Sequence, residues 1–390
     1  MASIPSSVDV AIIGAGPTGL ATASTLRKNG VNAIVLDAAA SPSTTSRATV
    51  IHSRTLEVLE DIGVTSKIIQ RGVKLTRWTL SDKKSTLADL DFSALKAKYP
   101  MMITLAQVDT EAVLTEKLEE FGGVVYRGAE VTSVLDSGDK VQLQVHSPAT
   151  GMKTTVTAKY VVAADGIRST IREAVGIPFE GGDYPDSFIT ADCRLSATGR
   201  LRKDGVQLHI VSQGFLLLVP EPRGIWRIVA TLDQPPKDAD VAVYQRLVDE
   251  RAAPGIVVSE VIWSSRFHIH HRLAAQYRKG RVFLAGDAAH AHSPAGGQGM
   301  NIGIQDGVRL GEVLSEAVLA GKTSDDALDR YEGDRRPVAK GVVALTHRMT
   351  MMGTLKSPFL GAVRNWFLWA VMSMPWARYW MTYRLSELGH

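Results

Sequence analysis

The chain has 390 residues, of which 45% are hydrophobic and 22% charged, and its formal net charge is +4. This composition is typical of one large globular domain or two closely joined ones, and the single cysteine, Cys193, excludes internal disulfides and fits a reducing, cytoplasmic compartment. No basic stripe with interleaved aromatic residues supports nucleic-acid binding, and Asp9 interrupts the N-terminal apolar run, so no secretory signal is expected.

The first predicted elements form a dinucleotide-binding unit. The apolar strand Val8–Ile13 leads into a glycine turn and a helix, and a second strand, Val31–Leu36, ends in an acid. In such a unit the glycines permit the tight turn, the approach of a pyrophosphate and close packing of the helix, while the acid binds ribose hydroxyls. Because no arginine directly follows the acid, a 2′-phosphate is not favoured, and FAD and NAD both remain open. The predicted contacts are Gly14, Gly16, Thr18, Gly19 and Asp37.

The next stretch predicts two helices and a group of strands. The segment Ser46–Glu57 runs into a helix whose apolar residues reach Ile62 and which ends at Gly63. Another helix opens at Gln107, with Asp109 as its N-cap. Residues 124–156 alternate between polar and apolar and contain two turn signals, which predicts an antiparallel meander.

A buried strand at Tyr160–Ala164 ends in the segment Asp165–Arg172. From residue 177 to 271 the pattern changes to long strands with one helix between them. The bulky run Phe215–Leu218 fits either a hydrophobic substrate pocket or ordinary core. His268 and His270 alternate on a strand and lack a cysteine or carboxylate at a metal-site spacing, so we predict no metal.

A glycine-rich loop, Gly286–Gly299, follows the apolar run Val282–Ala285 and precedes a helix. The helix has Met300, Ile304 and Val308 on one side. Free backbone N–H groups in the loop and the positive end of the helix suit a flat polar ring that becomes anionic on reduction. The loop therefore predicts a site for an anion or a ring such as a flavin.

Three stretches together resemble the single-component flavin monooxygenases, the class of p-hydroxybenzoate hydroxylase and phenol hydroxylase. The resemblance rests on the fingerprint Gly14–Gly19, on the D-G-x-x-S-x-x-R string Asp165–Arg172, and on G-D-A-A-H followed by P-x-G-G-Q-G-M-N within Gly286–Asn301. These motifs occur in the family's order and span most of the chain. The chain departs from the family at Arg309-Leu310, where Asn-Leu is usual, and at Thr49, where some phenol-active relatives carry an acid.

This resemblance implies FAD as the cofactor and NAD(P)H as the co-substrate. It implies an α/β fold with a Rossmann-like FAD-binding domain interleaved with a mixed β-sheet substrate domain, followed by C-terminal helices. The implied boundaries are 1–176 with 276–345 for the FAD-binding domain, 177–275 for the substrate domain and 346–390 for the helical tail. Beyond the N-terminal fingerprint, the implied FAD contacts are Arg47, Gln107, Asp165, Gly286, Asp287, Pro294, Gly297, Gly299, Met300 and Asn301.

The implied reaction is hydroxylation of a hydrophobic aromatic or phenolic small molecule by dioxygen, through a C4a-hydroperoxyflavin. Spacing marks no residue as catalytic acid or base, and both a monomer and a homodimer are compatible with the sequence. Alternatives are a flavin-dependent halogenase, a lipid-directed flavin reductase and a non-catalytic flavoprotein carrier. The W-x-W-x-I-P element of halogenases is absent from the sequence, which disfavours the first of these.

The tail carries the whole excess of positive charge. From Arg348 onward five basic residues accompany one acid, Glu387, and four of the chain's seven tryptophans. The thirteen uncharged residues between Arg364 and Arg378 would form a helix of about 20 Å, too short to span a bilayer. We predict that the tail folds back over the substrate chamber, and the alternative is peripheral contact with a membrane interface.

Overall fold

The computed structural model describes residues 3–46, 48–198, 201–236, 238–321, 324–355 and 357–389. Its strands are β1 (Ser7–Ile13), β2 (Ala33–Asp37), β3 (Val50–Ile51), β4 (Val73–Leu75), β5 (Arg77–Ser81), β6 (Thr86–Asp91), β7 (Met102–Thr104), β8 (Val125–Arg127), β9 (Glu130–Asp136), β10 (Val141–His146), β11 (Lys153–Ala163), β12 (Phe179–Ala197), β13 (Gly205–Val211), β14 (Gly214–Pro220), β15 (Ile225–Thr231), β16 (Ile256–Ala274), β17 (Arg278–Lys279), β18 (Val282–Leu284) and β19 (His290–Ala291). Its α-helices are α1 (Pro17–Lys28), α2 (Ser53–Asp61), α3 (Thr65–Arg71), α4 (Gln107–Glu120), α5 (Thr170–Ala174), α6 (Val241–Arg251), α7 (Gly299–Ala320), α8 (Asp325–Gly353), α9 (Pro358–Met372) and α10 (Pro375–Leu385).

The first sheet has the order β17-β18-β11-β1-β2-β8. Strand β1 runs parallel to both β2 and β11, and β11 runs parallel to β18. Their side chains are buried on both faces, which explains the continuous apolar runs in the sequence. The predicted meander is present in β9, β10 and β11, but β8 instead pairs in parallel with β2. The last meander strand and the predicted strand at 160–164 are one element, because β11 crosses from the meander into the parallel sheet.

Helices α1 and α7 pack unusually closely against each other through glycines of α7. A Cβ atom added at Gly307 would lie 2.5 Å from the backbone oxygen of Thr18, and one at Gly311 would lie 2.7 Å from the Cβ of Thr25. Only glycine allows this approach, because any side chain would force the helices apart. The packing holds the N-termini of both helices on the same side of the sheet.

The second sheet has the order β19-β16-β12-β15-β14-β13-β5-β6. Its last two strands come from the weakly periodic stretch of residues 72–105. The side chains of the bulky segment Phe215–Leu218 alternate between the two faces of this sheet. Leu216 and Leu218 pack in the core under α6, while Phe215 lies on the other face with Phe188. Cys193 lies in the α6 core, where burial raises the pKa of its thiol to about 12, so it is a small buried hydrophobe.

The tail folds back as helices onto the second sheet. Met372 of α9 and Leu385 of α10 are buried in one apolar cluster with Trp78 and Leu90 of the sheet. The backbone oxygen of Ser386 accepts a hydrogen bond from the N–H of Arg54, 3.2 Å away. Within the described parts of the chain, none of the helices combines the length and apolarity needed to cross a bilayer.

The buried carboxyl group of Glu387 should contribute a part of the stability that is lost as the pH rises. Burial raises its pKa from about 4.5 to about 8 in the folded protein. Between these values the unfolded chain releases a proton that the folded chain retains, so the contribution of Glu387 is fully present below pH 4.5 and is lost as the pH rises to about 8. The buried His52, His209 and His292, whose pKa values burial lowers to about 4, act in the opposite direction and are common to the wild type and the variant. The slope should reach at most about 1.4 kcal/mol per pH unit from this group. In urea unfolding measured from pH 5 to 8, the stability of the wild type relative to that of Glu387→Gln should therefore decrease with rising pH.

The control for this measurement is Glu260→Gln, which removes an exposed carboxylate paired with Arg194. That variant should keep the wild-type slope, because exposed ion pairs contribute little. Equal slopes for the wild type and Glu387→Gln would contradict the assignment.

Candidate cofactor site

The three sequence motifs follow the carboxyl ends of three adjacent parallel strands, β1, β11 and β18. A Cβ atom at Gly14 would collide with the backbone oxygen of Ala164, the residue before Asp165. A Cβ atom at Gly286 would collide with the hydroxyl group of Thr18. Segments more than 100 residues apart in sequence thus lie against each other at one edge of the sheet, where α/β folds bind ligands.

The glycine turn after β1 is shaped for close approach of a polar group. Gly14 has φ +104°, and Gly16 has φ −76° and ψ 177° at the start of α1. A Cβ atom at Gly16 would meet no described atom within 4 Å, whereas one at Gly19 would collide with the oxygen of Gly14. No described side chain caps the start of α1, and its first turn holds no acid. Its N–H groups and positive end therefore suit a pyrophosphate.

Asp37 at the end of β2 is held by two backbone donors and one arginine. The N–H groups of Ala15 and Ala39 donate to its carboxylate over 2.6 Å and 2.8 Å. A guanidinium nitrogen of Arg127 lies 3.4 Å from the same carboxylate. Arg127 was not predicted, because it reaches Asp37 only through the parallel pairing of β2 with β8. The carboxylate is thus held in a fixed orientation, as a ribose-binding acid requires.

Gln107 begins α4, as predicted, but Asp109 is not the N-cap. The cap position is Ala106, and Asp109 lies in the first turn of the helix. The Gln107 side chain donates to Glu111 over 2.8 Å, and burial raises the pKa of Glu111. The contact of Gln107 with a diphosphate remains a prediction. Arg47 lies outside the described residues.

The segment after β11 combines a ligand-facing acid with a structural arginine. One carboxylate oxygen of Asp165 accepts from the N–H of Ile171 over 3.3 Å. Its other oxygen is buried without a partner among the described residues, and burial raises the pKa of this carboxyl group. The guanidinium of Arg172 donates to the backbone oxygens of Ile167 and Ala288, 3.1 Å and 3.0 Å away. Arg172 therefore ties this segment to the loop after β18.

The glycine-rich loop before α7 is held in place by Asn301. Its side chain donates to the backbone oxygens of Val50 and Gly297, both over 2.8 Å, and accepts from the N–H of His52 over 2.8 Å. Asn301 is fully buried. Its side chain therefore braces the loop, and the contact of Asn301 with the cofactor remains a prediction. Pro294 closes a turn through its oxygen and the N–H of Gly297, 2.9 Å away.

Gln298, absent from the predicted contacts, also belongs to this site. Its side chain is 1% exposed, and neither its amide oxygen nor its amide nitrogen has a partner among the described residues. Buried amides are almost always satisfied in proteins, so a bound group with a donor and an acceptor would explain both atoms. Gly299 and Met300 form the first turn of α7, which has no acid there. An isoalloxazine ring, which carries both donors and acceptors, fits this loop.

The histidine of the G-D-A-A-H motif, His290, interacts with the acid Asp306 on α7. Its carboxylate lies 2.6 Å from the ring of His290 and 2.7 Å from the guanidinium of Arg335, and all three side chains are buried. The arrangement links β19, α7 and α8 and supports the loop between them. Across the described ranges there is no group of three or more potential metal ligands.

The second sheet brings further polar groups towards the same loop. The hydroxyl group of Tyr184 lies 2.8 Å from Nδ1 of His347 on α8. The hydroxyl of Thr350, one turn further along α8, donates to that of Ser293 over 2.6 Å. Ser293 directly precedes Pro294. Tyr184 and His347 are 163 residues apart, and no local pattern in the sequence marks them as partners.

Tyr184 is also part of an apolar cluster with aromatic character. The cluster contains Phe188, Ile210, Phe215 and Ile269, and the rings of Phe188 and Phe215 are 5.7 Å apart. Burial raises the pKa of Tyr184. This face of the sheet thus holds buried aromatic side chains and the hydroxyl group of Tyr184 close to the cofactor loop.

A buried ion cluster lies further along the same sheet. Arg227 contacts Asp192 at 2.5 Å and Glu221 at 3.4 Å. Glu221 lies near Thr49, and burial raises the pKa of its carboxyl group. The acid that some phenol-active relatives carry near position 49 is replaced here by threonine, and a different acid, from the second sheet, lies close to it.

The comparisons with known proteins agree with this geometry. A family model described as an FAD binding domain matches residues 7–346. The 6-methylpretetramide 4-monooxygenase of Streptomyces rimosus is 36% identical over 355 residues, which are 89% of this chain and 62% of that protein. The pentachlorophenol 4-monooxygenase of Sphingobium chlorophenolicum is 32% identical over 353 residues, 87% and 64% of the two chains. This chain therefore spans less than two thirds of either relative.

A solved structure matches over nearly its full length. The p-nitrophenol 4-monooxygenase PnpA from Pseudomonas putida DLL-E4 superposes with a TM-score of 0.86 at 26% identity, covering 98% of this chain and 99% of that one. The predicted α/β fold and FAD as the cofactor are confirmed, and so is the resemblance to the phenol hydroxylase class. The gathered strand ends, the open approach at Gly16 and the family match over residues 7–346 together show that this chain belongs to the FAD binding domain family of flavoproteins.

Proposed function

We propose that this chain is an NAD(P)H-consuming FAD monooxygenase that hydroxylates a hydrophobic aromatic or phenolic small molecule. The observation that carries the proposal is the position of the aromatic cluster around Tyr184, which adjoins the cofactor loop through Thr350 and Ser293. The bound flavin would activate dioxygen, and the protein would hold the substrate and exclude water. The named relatives, all monooxygenases, support the same reaction class.

The residues that would bind FAD divide by position. The turn and helix start at Gly14, Gly16, Thr18 and Gly19 would hold the pyrophosphate, and Asp37 the ribose. Asp165, Gly286, Asp287 and the loop from Pro294 to Met300 would surround the ribitol and the ring. Asn301 would act through the loop that it braces. We retain Arg47 and Gln107 as proposed contacts, together with the domain boundaries at 176, 276 and 346.

Tyr184 is the best-placed group to accept a proton from a phenolic substrate. Its hydroxyl lies in the apolar cluster and bonds to His347, which is partly exposed and gives the proton a route outward. A single positioned acid or base typically contributes about 10²-fold or more to rate. Tyr184 does not need to be ionised before the substrate binds. Its hydroxyl group can pass its own proton to the imidazole of His347 while it accepts the proton of the substrate.

Purified protein should show flavin absorbance. Aromatic compounds should stimulate its oxidation of NAD(P)H, with consumption of an equal amount of dioxygen and formation of a hydroxylated product. A halogenase would require halide and a partner reductase, a reductase would give no oxygenated product, and a carrier would consume nothing. A colourless protein that cannot be reconstituted with FAD would overturn the assignment.

Tyr184→Phe should lower kcat for a phenolic substrate by about 10–10²-fold and shift the pH profile of kcat. The rate of flavin reduction by NAD(P)H without substrate should not change. Tyr160→Phe is the matched control, because Tyr160 is also buried but lies on β11 in the first sheet. Equal rates for the two variants would show that Tyr184 only packs, and would leave the assignment of the reaction untouched.

A further inference from the structure

The outer surface of the last two helices is aromatic and exposed. Twelve of the eighteen exposed large apolar side chains of the described residues lie between Met351 and Trp380. Trp366 and Trp376 are 66% and 68% exposed. We call this surface the aromatic face, formed by Phe359, Leu360, Val363, Trp366, Phe367, Trp369, Trp376, Tyr379 and Trp380. Patches of this kind mark interaction sites rather than ordinary surface.

Helix α9 has the reverse of the polarity expected for a helix on a water-facing surface. Its one charged residue, Arg364, is 8% exposed and donates to the backbone oxygen of Met352 over 2.6 Å. The neighbouring Asn365 donates to Asp82, in the turn between β5 and β6, over 3.1 Å. The charge and the amide thus point towards the protein, while the aromatic residues point outward. A helix that faced water would place these groups the other way.

The inner sides of α9 and α10 are already packed, so the aromatic face is not a displaced piece of core. Met372 and Leu385 are buried with residues of the second sheet. Glu387, directly after α10, is buried as well and hydrogen-bonds to Gln305 over 2.5 Å. The two helices are held firmly on one side and present the other side outward.

The same part of the chain carries positive charge without exposed negative charge. Arg348 and Arg384 are exposed and Arg378 is partly exposed, and the guanidinium of Arg384 lies 5.3 Å from the ring centroid of Trp380. From residue 348 to 389, the described residues include no exposed acid, since Glu387 is buried. Tryptophan, tyrosine and arginine beside one another are typical of segments that lie in the interface of a bilayer.

We propose that α9 and α10 bind the surface of a membrane that contains anionic phospholipid, with the aromatic face in the headgroup region. A second copy of this chain is a poorer occupant, because paired copies would bring arginines together without a carboxylate between them. Anionic headgroups neutralise the same arginines. The fifteen residues of α9 would extend only about 22 Å, which favours a helix lying on the bilayer over one crossing it. This binding is independent of the proposed hydroxylation.

The test is a flotation assay of the FAD-bound protein with two kinds of phosphatidylcholine vesicle. One kind contains about 30 mol% of the anionic lipid phosphatidylglycerol, and the other contains none. We expect binding to the anionic vesicles, at least about tenfold weaker binding to the neutral ones, and weakening by added NaCl. Brominated lipid should quench the tryptophan fluorescence of the wild type, because four of the seven tryptophans lie on the aromatic face. This measurement needs no variant.

The combined variant Trp366→Ser, Phe367→Ser and Trp376→Ser should lose at least about tenfold in vesicle affinity. Its matched control replaces three exposed apolar residues elsewhere, Leu135→Ser, Met152→Ser and Leu319→Ser, and should bind like the wild type. FAD content, measured for every variant, separates loss of membrane binding from loss of the fold or of the cofactor site.

Two results would overturn the proposal. One is absence of quenching by brominated lipid in anionic vesicles at low salt. The other is a wild-type protein that does not bind vesicles but forms a concentration-dependent dimer in light scattering, with the dimer lost in the triple aromatic variant. That result would make the aromatic face an interface between copies.

Discussion

Replacing Gly16 with valine should abolish FAD binding at micromolar concentrations while leaving the fold intact. Gly16 has φ −76° and ψ 177°, a conformation that valine adopts readily, and a Cβ atom there would meet no described atom within 4 Å. Because Gly16 is the N-cap of α1 and valine is a poorer cap than glycine, we expect the free energy of unfolding of the apoprotein to fall by about 1 kcal/mol at most. The same side chain would occupy the path of the pyrophosphate, raising the Kd for FAD at least about 100-fold, or ~2.7 kcal/mol.

The measurement is titration of apoprotein with FAD by flavin fluorescence, alongside urea unfolding without FAD. Gly333→Val is the matched control, because Gly333 lies on the exposed side of α8 and a Cβ atom there also meets no described neighbour. This control should leave the Kd unchanged. Normal FAD affinity in Gly16→Val would place the pyrophosphate elsewhere and would refute the site described above.

Replacing Arg227 with methionine should destabilise the protein by about 3–5 kcal/mol. Arg227 is 2% exposed, and it is the basic partner of two carboxylates, Asp192 and the 6% exposed Glu221. Methionine fills the same space without compensating either charge, and buried carboxylates without a partner are strongly unfavourable. The change in the free energy of unfolding can be measured with urea at neutral pH.

Two further variants test whether charge is the cause of this loss. Adding Asp192→Asn and Glu221→Gln to the Arg227→Met background removes the uncompensated charges and should recover most of the stability. Arg194→Met disrupts an ion pair with Glu260 in which both partners are at least half exposed, and should cost no more than about 1 kcal/mol. If Arg227→Met were as mild as Arg194→Met, the cluster would contribute no more than a surface pair.

The same variants test whether the cluster also contributes to function. Glu221 lies near Thr49, which is two residues from Arg47, an FAD contact implied by the resemblance. If the Arg227 variants bind FAD but lose coupling between NAD(P)H oxidation and hydroxylation, the cluster contributes to the site as well as to the fold. Coupling should be compared between Arg227→Met and the variant that combines Arg227→Met with Asp192→Asn and Glu221→Gln. This comparison separates an effect of the uncompensated charges on coupling from an effect of lost stability.

The sequence by itself determined the cofactor class and the local elements that hold it. The glycine turn at Gly14–Gly19, the acid at Asp37 and the loop from Gly286 to Asn301 were all recognisable from short windows. They could be read because a turn, a helix start and a buried strand each depend on residues within a few positions of one another. The order of the motifs along the chain was enough to identify the family.

Only the tertiary structure decided which side chains meet across those elements. Arg127 reaches Asp37 through strand register, Tyr184 meets His347 from 163 residues away, and Glu221 takes its place near Thr49 through the second sheet. Asn301 braces the loop because α7 packs against the segment after β3, which no local pattern encodes. The two readings of the tail, folding back onto the protein and contact with a membrane, do not exclude each other. The inner side of α9 and α10 packs on the sheet, while their outer side is exposed. Such pairings depend on sheet order and helix orientation, which arise from the whole chain and from no single window of it.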